Sequence, residues 1–284
     1  MSESTSATTE RILSTATRQT RRRVIGSGLL AIVGVVSGGV ALRSVAGTVS
    51  AAWWTAGAVL VVGGLWAYTY VHAAENAHTS EWGDGERVSY ETLGAPTAVT
   101  LTRGVLVAGI AGLAGIAALG AASDWVAWVA ALAYGVAVVL DVLDGFLARR
   151  LNRVTELGGR LDTAVDAFGL LVAPLTAVVL GELPWWYLSV GVARYLFVAG
   201  LWWRGRTGRP TFDLPPRTSR RVLAGLQMTV VPIALAPGVA DEWMPLVAAL
   251  AAMGLLLGFG RDWLYVSGRI DAETATPRTA PTKD

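Results

Sequence analysis

Eight apolar runs dominate this sequence, each long enough or nearly so to cross a bilayer as a helix. They lie roughly at 24–42, 51–73, 97–120, 125–148, 160–181, 185–203, 221–238 and 243–264. A backbone in hydrocarbon must satisfy its own hydrogen bonds, so runs of this length are predicted to be helices. The composition points the same way, with 53% hydrophobic residues and 15% charged residues. A soluble domain carries about a quarter charged residues, and this chain has too little polar surface to cover a core in water. The predicted fold class is therefore all-α, a polytopic membrane helix bundle of about eight helices.

Between the runs, charge sorts by side. If the eight spans alternate, one side receives both termini and the segments around 74–96, 149–160, 204–221 and 261–284. That side holds all the arginines outside the spans except Arg43, together with Lys283, the single lysine. By the positive-inside rule this side, with both termini, is expected to be cytoplasmic. Tryptophans near span ends (Trp53, Trp54, Trp185, Trp186, Trp202 and Trp203) read as interfacial anchors. The first run follows Arg21, Arg22 and Arg23 but is long for a signal peptide and lacks a small-residue cleavage site, so it reads as a retained helix. Within it, Gly34 and Gly38 form a small-xxx-small pair suited to close helix packing.

The organisation follows from polarity. Residues 1–23 and 266–284 are Ser/Thr-rich and are expected to be disordered cytoplasmic tails. Residues 24–73 form an accessory pair of spans, 74–92 a cytoplasmic linker, and 93–265 the core. Cysteine is absent and there are only two histidines, so thiolate and histidine-rich metal sites are excluded. Any metal must be bound by oxygen, which favours Mg²⁺ or Mn²⁺. The net charge of +2 gives no reason to expect nucleic acid as a partner.

One stretch breaks the apolar pattern, DVLDGFLARRLNRVTELGGRLDTAVD at 141–166. Asp141 and Asp144 fall in the last turns of one predicted helix, and Asp162 and Asp166 in the first turns of the next. Spacings of three and four place each pair on one helix face. Gly145 and Ala148 share the face of Asp141, and Gly158 precedes Asp162 by one turn, so the acidic faces lack bulk. Each charge at the centre of a bilayer costs at least about 2.5–3.5 kcal/mol, and four converging carboxylates repel one another. Two divalent cations neutralise all four and leave positions open for a substrate, an arrangement suited to displacement at phosphorus. Pairing with nearby arginines is the plain structural alternative.

The same residues form the pattern Asp-x2-Asp-Gly-x2-Ala-Arg-x8-Gly-x3-Asp-x3-Asp, complete at every fixed position. It resembles the signature of the CDP-alcohol phosphatidyltransferases, and the resemblance covers about 93–265. It implies a six-helix membrane core, here with two extra N-terminal helices. It also implies transfer of a phosphatidyl-type group from a CDP-linked lipid to an alcohol, releasing CMP, in phospholipid biosynthesis. On the matching positions, Asp141, Asp144, Asp162 and Asp166 are implied to hold two Mg²⁺ or Mn²⁺ ions, with Asp166 as general base. Asp141, Gly145, Ala148, Arg149 and Gly158 are implied to bind the nucleotide. A homodimer is expected from the same resemblance.

For the acceptor, Arg194 lies well inside an apolar run, where an arginine is a functional candidate by default. Arg103, Arg204 and Arg261 are further candidates, each also readable as a topogenic charge. An anionic acceptor such as glycerol phosphate fits an arginine; a lipid acceptor, as in a cardiolipin-type synthase, is the variant within the same chemistry. The rival readings are a cation transporter and a catalytically silent scaffold. Against the transporter, the acids gather at one end of the spans rather than at a midplane break.

Overall fold

The computed structural model describes residues 2–79, 87–121, 123–151, 153–215, 217–239, 242–270 and 277–278. All eight expected spans are helical: α1 (Ser2–Ala46), α2 (Thr48–Val71), α3 (Ala95–Ile116), α4 (Asp124–Arg150), α5 (Glu156–Leu180), α6 (Leu188–Arg206), α7 (Thr218–Ala234) and α8 (Met244–Val266). Six are long and apolar enough to cross a membrane, namely α1 to α5 and α8. The other two are shorter and more polar. Helix α6 carries Arg194, Arg204 and Arg206, and α7 opens on Thr-Ser-Arg-Arg and contains Pro232. Large apolar side chains such as Leu30 and Leu60 are about three-quarters exposed. A belt of such residues is untenable in water but ordinary against lipid tails.

The chain divides into two compact units, residues 1–169 and 170–284. In the first, α1 and α2 pack side by side after Gly47, whose φ of 79° suits glycine. Packing of this pair is closest at Gly39 and Gly28; of the expected pair, Gly38 meets Trp54 of α2, 3.4 Å from its would-be Cβ, and Gly34 does not. A Cβ on Gly39 would lie 1.8 Å from Thr55 Oγ1, and one on Gly28 would lie 2.6 Å from the Trp66 ring. Gly34 has open space around it. Trp54 is likewise more than an anchor. It donates from Nε1 to the Gly109 carbonyl of α3 at 2.9 Å and fills the space left by Gly112. The core of this unit joins Val24, Val35, Val62 and Trp66 to Leu101, Ala108, Leu157 and Leu161, so the accessory pair and the start of α5 share one core.

The expected disordered N-terminal tail is helical from Ser2. Its Ser/Thr content suggested disorder, but Ala16, Thr20 and Val24 recur every four residues and are buried as a stripe. Thr20 Oγ1 also donates to the Tyr90 carbonyl at 3.0 Å. The linker after α2 is ordered at both ends, as a 3₁₀ turn over Ala73–Glu75 and as strands β1 (Ala77–Thr79) and β2 (Arg87–Ser89), which pair antiparallel with His78 opposite Val88. Pro96 in the first turn of α3 restarts the helix.

In the second unit α8 packs against both α6 and α7. Arg220 of α7 grips Asp262 of α8 through Nε and Nη2, at 2.5 and 2.9 Å. Tyr187 donates to the buried Gln227. The would-be Cβ of Gly200 lies 2.7 Å from the Trp263 ring, so α6 and α8 meet there. In the tail expected to be disordered over 266–284, Pro277–Arg278 pairs with Thr211–Phe212; residues 271–276 and 279–284 lie outside the described residues.

Candidate active site

The four aspartates converge in the first unit, and a single arginine joins them. Helix α4 ends at Arg150 and α5 begins at Glu156, so the two run antiparallel across a short turn. Thr155 starts α5 by accepting from the Gly158 N–H at 3.0 Å, the usual service of an N-cap threonine. That cap fixes where the first turn begins and hence which way Gly158 and Asp162 face.

Arg103 of α3 is buried between these helices. Its Nη1 donates to Asp144 Oδ2 at 3.0 Å and to Asp162 Oδ1 at 2.8 Å. Its Nη2 lies 2.8 Å from Asp141 Oδ1 and also donates to Asp166 Oδ1. The cage therefore has two levels. Asp144 and Asp162, nearer the α4–α5 turn, meet one nitrogen; Asp141 and Asp166, one turn further from it, meet the other. Thr100 Oγ1, one turn before Arg103, donates to Asp144 Oδ2 at 2.9 Å.

This placement corrects the expectation for Arg103. It is buried and engaged by all four carboxylates, not a topogenic charge at the surface. Thr97, Thr100 and Arg103, three residues apart, form a buried polar stripe on a mainly apolar helix. That spacing was available as a signal, and it is what points the guanidinium at α4 and α5.

The donor set fits hard divalent cations. Ligand oxygens of Asp141, Asp144 and Asp162 lie within 4.8 Å of one another. All donors are oxygens, as Mg²⁺ and Mn²⁺ prefer. Four carboxylates gathered around one guanidinium carry more negative charge than it can offset when ionised, and divalent cations would resolve that imbalance.

A cavity of about 120 Å³ opens beside Asp144 and Asp162. Asp144, Gly145 and Ala148 of α4, and Gly158, Gly159 and Asp162 of α5, form two of its walls, with Thr97 and Thr100 of α3 and with Arg153 completing it. Three of the residues expected at a nucleotide, Gly145, Ala148 and Gly158, are thus brought together. Asp141 lies one turn away in the cage. Arg149 is exposed, with its guanidinium beside Gly145 and outside the cavity wall. Arg153 and Thr155 were not anticipated here; nothing in their spacing distinguishes them from ordinary loop residues. A second, wholly different cavity of about 280 Å³ is apolar. It lies between Gly64 and Leu65 of α2, Gly104 of α3, and Val165 and Phe168 of α5. Gly104 and Val165 are the chain neighbours of Arg103 and Asp166.

The remaining acceptor candidates belong to the second unit. Arg194 is half-buried in α6. Arg204 donates to the backbone carbonyls of Pro210 at 2.7 Å and Ser267 at 3.4 Å, so it braces local structure. Arg261 is exposed.

Comparison with known proteins bears on the same residues. The family model described as CDP-alcohol phosphatidyltransferase matches residues 93–259, more than half of the chain. Proteins named "Putative cardiolipin synthase" from Mycobacterium bovis and Mycobacterium tuberculosis are 35% identical to this chain over 89 residues. That alignment covers 28% of this chain and 43% of each relative, so the chain matches less than half the length of these curated relatives. No solved structure matches the chain significantly.

Proposed function

The chain belongs to the CDP-alcohol phosphatidyltransferase family, and from that premise we propose that it transfers a phosphatidyl-type group from a CDP-linked lipid to an alcohol, releasing CMP. The single observation that carries this reading is the four-carboxylate cage beside a cavity walled by Gly145, Ala148 and Gly158.

In the proposed reaction the acceptor hydroxyl oxygen bonds to the phosphorus of the lipid phosphate as the bond from that phosphorus to the CMP oxygen breaks. Asp166 takes the hydroxyl proton, and CMP leaves with the bonding electron pair. Asp141, Asp144, Asp162 and Asp166 would hold two Mg²⁺ or Mn²⁺ ions, which when bound polarise the phosphorus and stabilise the departing oxygen. Two divalent charges and one guanidinium against four carboxylates leave the site one positive charge, which favours a diphosphate. One divalent ion would leave it negative, which is why two are proposed. The small residues Gly145 and Gly158 leave room for the nucleotide against the backbone. Thr100 and Arg103 hold Asp144 and its neighbours in register before the substrate arrives.

We place the site at the cytoplasmic ends of α4 and α5, on the positive-inside distribution of arginines, with both termini on that side. Water-soluble CMP and a polar acceptor then exchange with the cytoplasm while lipid chains stay in the bilayer. The acceptor is proposed to be anionic, glycerol phosphate or another polyol phosphate. A second reading, a phosphatidylglycerol acceptor, is favoured by the name of the mycobacterial relatives. We further propose a homodimer, which light scattering of the detergent-purified protein tests. The deciding experiment for the acceptor is CMP release from a CDP-lipid with glycerol 3-phosphate, inositol phosphate, serine and phosphatidylglycerol supplied singly. CMP formed with phosphatidylglycerol and not with glycerol 3-phosphate overturns the first acceptor reading in favour of the second. No CMP with any of them counts against the transferase reading.

A further inference from the structure

We infer that Arg153 binds the nucleotide in this site and that the N-terminal segment preceding the family core holds it in place. The inference rests on the transferase reading and extends it to residues outside the matched region.

Arg153 walls the cavity that Gly145 and Gly158 help to form. Its guanidinium stacks 4.6 Å from the centre of the Tyr90 ring. Its Nη2 donates to the carbonyl and the hydroxyl of Thr92, each at 2.5 Å. A Cβ on Gly94 would lie 2.8 Å from Arg153 Nε, so glycine there lets the side chain cross the backbone. The Nε itself is buried and meets no protein acceptor. No carboxylate among the described residues pairs with Arg153, in contrast to Arg103, which is saturated by four. An oriented, unneutralised guanidinium at the wall of a small cavity is suited to an anionic phosphate oxygen.

The clamp on Arg153 is built from the other side by the accessory segment. Asn76, just after α2, donates from Nδ2 to the Tyr90 carbonyl at 2.9 Å and to the Thr92 carbonyl at 3.1 Å. Thr20 of α1 donates to the same Tyr90 carbonyl. Glu75 pairs with Arg160 of α5 at 2.7 Å. Thr20, Asn76, Tyr90 and Thr92 all precede residue 93, where the family match begins. The two extra helices thus reach the cavity through one short strap, and their role is to preorganise an arginine that the family motif does not contain.

The test is calorimetric binding of CDP and CMP to the full-length protein in detergent with Mn²⁺, for wild type, Arg153→Ala, Thr92→Val and the double variant. Arg153→Ala is expected to weaken nucleotide binding about ten- to a hundredfold, as loss of a charge-assisted contact does. Thr92 does not wall the cavity, so Thr92→Val is expected to weaken binding several-fold only through Arg153, and to add nothing in the Arg153→Ala background. Mn²⁺ affinity, read by electron paramagnetic resonance, is expected to be unchanged in all of them. Nucleotide affinity in Arg153→Ala equal to wild type, or additive losses in the double variant, overturns the inference and leaves the transferase reading intact. A wild-type protein that binds Mn²⁺ but neither nucleotide overturns both.

Discussion

Replacing Arg103 by alanine separates its service to the empty cage from its service to the loaded one. In the structure it is the only described cation contacting Asp141, Asp144, Asp162 and Asp166, and its side chain is 4% exposed. Removing one partner from a fully buried ionic cluster costs about 3–5 kcal/mol; here the side chains of Asp141, Asp162 and Asp166 are 29%, 42% and 32% exposed and solvent screens them, so the loss is expected at about 1–3 kcal/mol. For a chain of this size that corresponds to a fall on the order of 5 °C in unfolding temperature. Divalent cations supply the missing charge, and without the competing guanidinium the variant is expected to bind Mn²⁺ more tightly than wild type; each tenfold gain in affinity returns about 1.4 kcal/mol of the loss. Most of the loss is therefore expected in EDTA and little of it in saturating Mn²⁺. The assay is thermal unfolding of the purified variant in detergent under both conditions, beside wild type. An equal loss with and without Mn²⁺, or no loss in EDTA, would refute the argument that Arg103 is the internal counter-ion of a cation site.

Further expectations follow from the same geometry. Asp166→Asn is expected to keep CDP binding while kcat falls about 10²–10⁴-fold, the usual weight of a general base, measured by CMP release. Gly158→Val is expected to abolish CDP binding in calorimetry while the variant stays folded, since its Cβ would lie 3.0 Å from Thr155 Oγ1 and its methyls would occupy the cavity. Gly39→Leu is expected to cost about 1–3 kcal/mol by overpacking, because its Cβ would fall 1.8 Å from Thr55 Oγ1; the unfolding temperature reads this, and Gly34→Leu, facing open space, is the silent control.

The helices and the carboxylate cluster were legible because both are written in local spacing. Apolar runs of helical length mark the spans, and intervals of three and four place Asp141 with Asp144 and Asp162 with Asp166. The tertiary partners were not legible in this way. Arg103 lies 41 residues from Asp144, and nothing local tells a cation that meets carboxylates from one that meets headgroups. Only the Thr97, Thr100, Arg103 stripe on α3 hinted at it. The N-terminal segment misled because serine and threonine suggest disorder, whereas packing of Ala16, Thr20 and Val24 decides the matter. Gly34 and Gly38 fitted a motif, yet Gly39 and Gly28 make the closest contacts, Gly38 a looser one with Trp54 and Gly34 none, since which face of a helix meets its neighbour is set by the whole interface. Arg153 was hidden for the same reason: Tyr90 and Thr92, which orient it, are more than 60 residues away.

The most direct test of the central claim is CMP release by the full-length protein in detergent, from a CDP-linked lipid, with the acceptor panel, in Mn²⁺ and in EDTA. The account predicts CMP with Mn²⁺ and at least one acceptor, none in EDTA, and a rate about 10²–10⁴-fold lower from Asp166→Asn. CMP release that persists in EDTA, or that continues at the wild-type rate in Asp166→Asn, would contradict it, as would a folded, Mn²⁺-loaded protein that neither binds nor turns over the CDP-lipid.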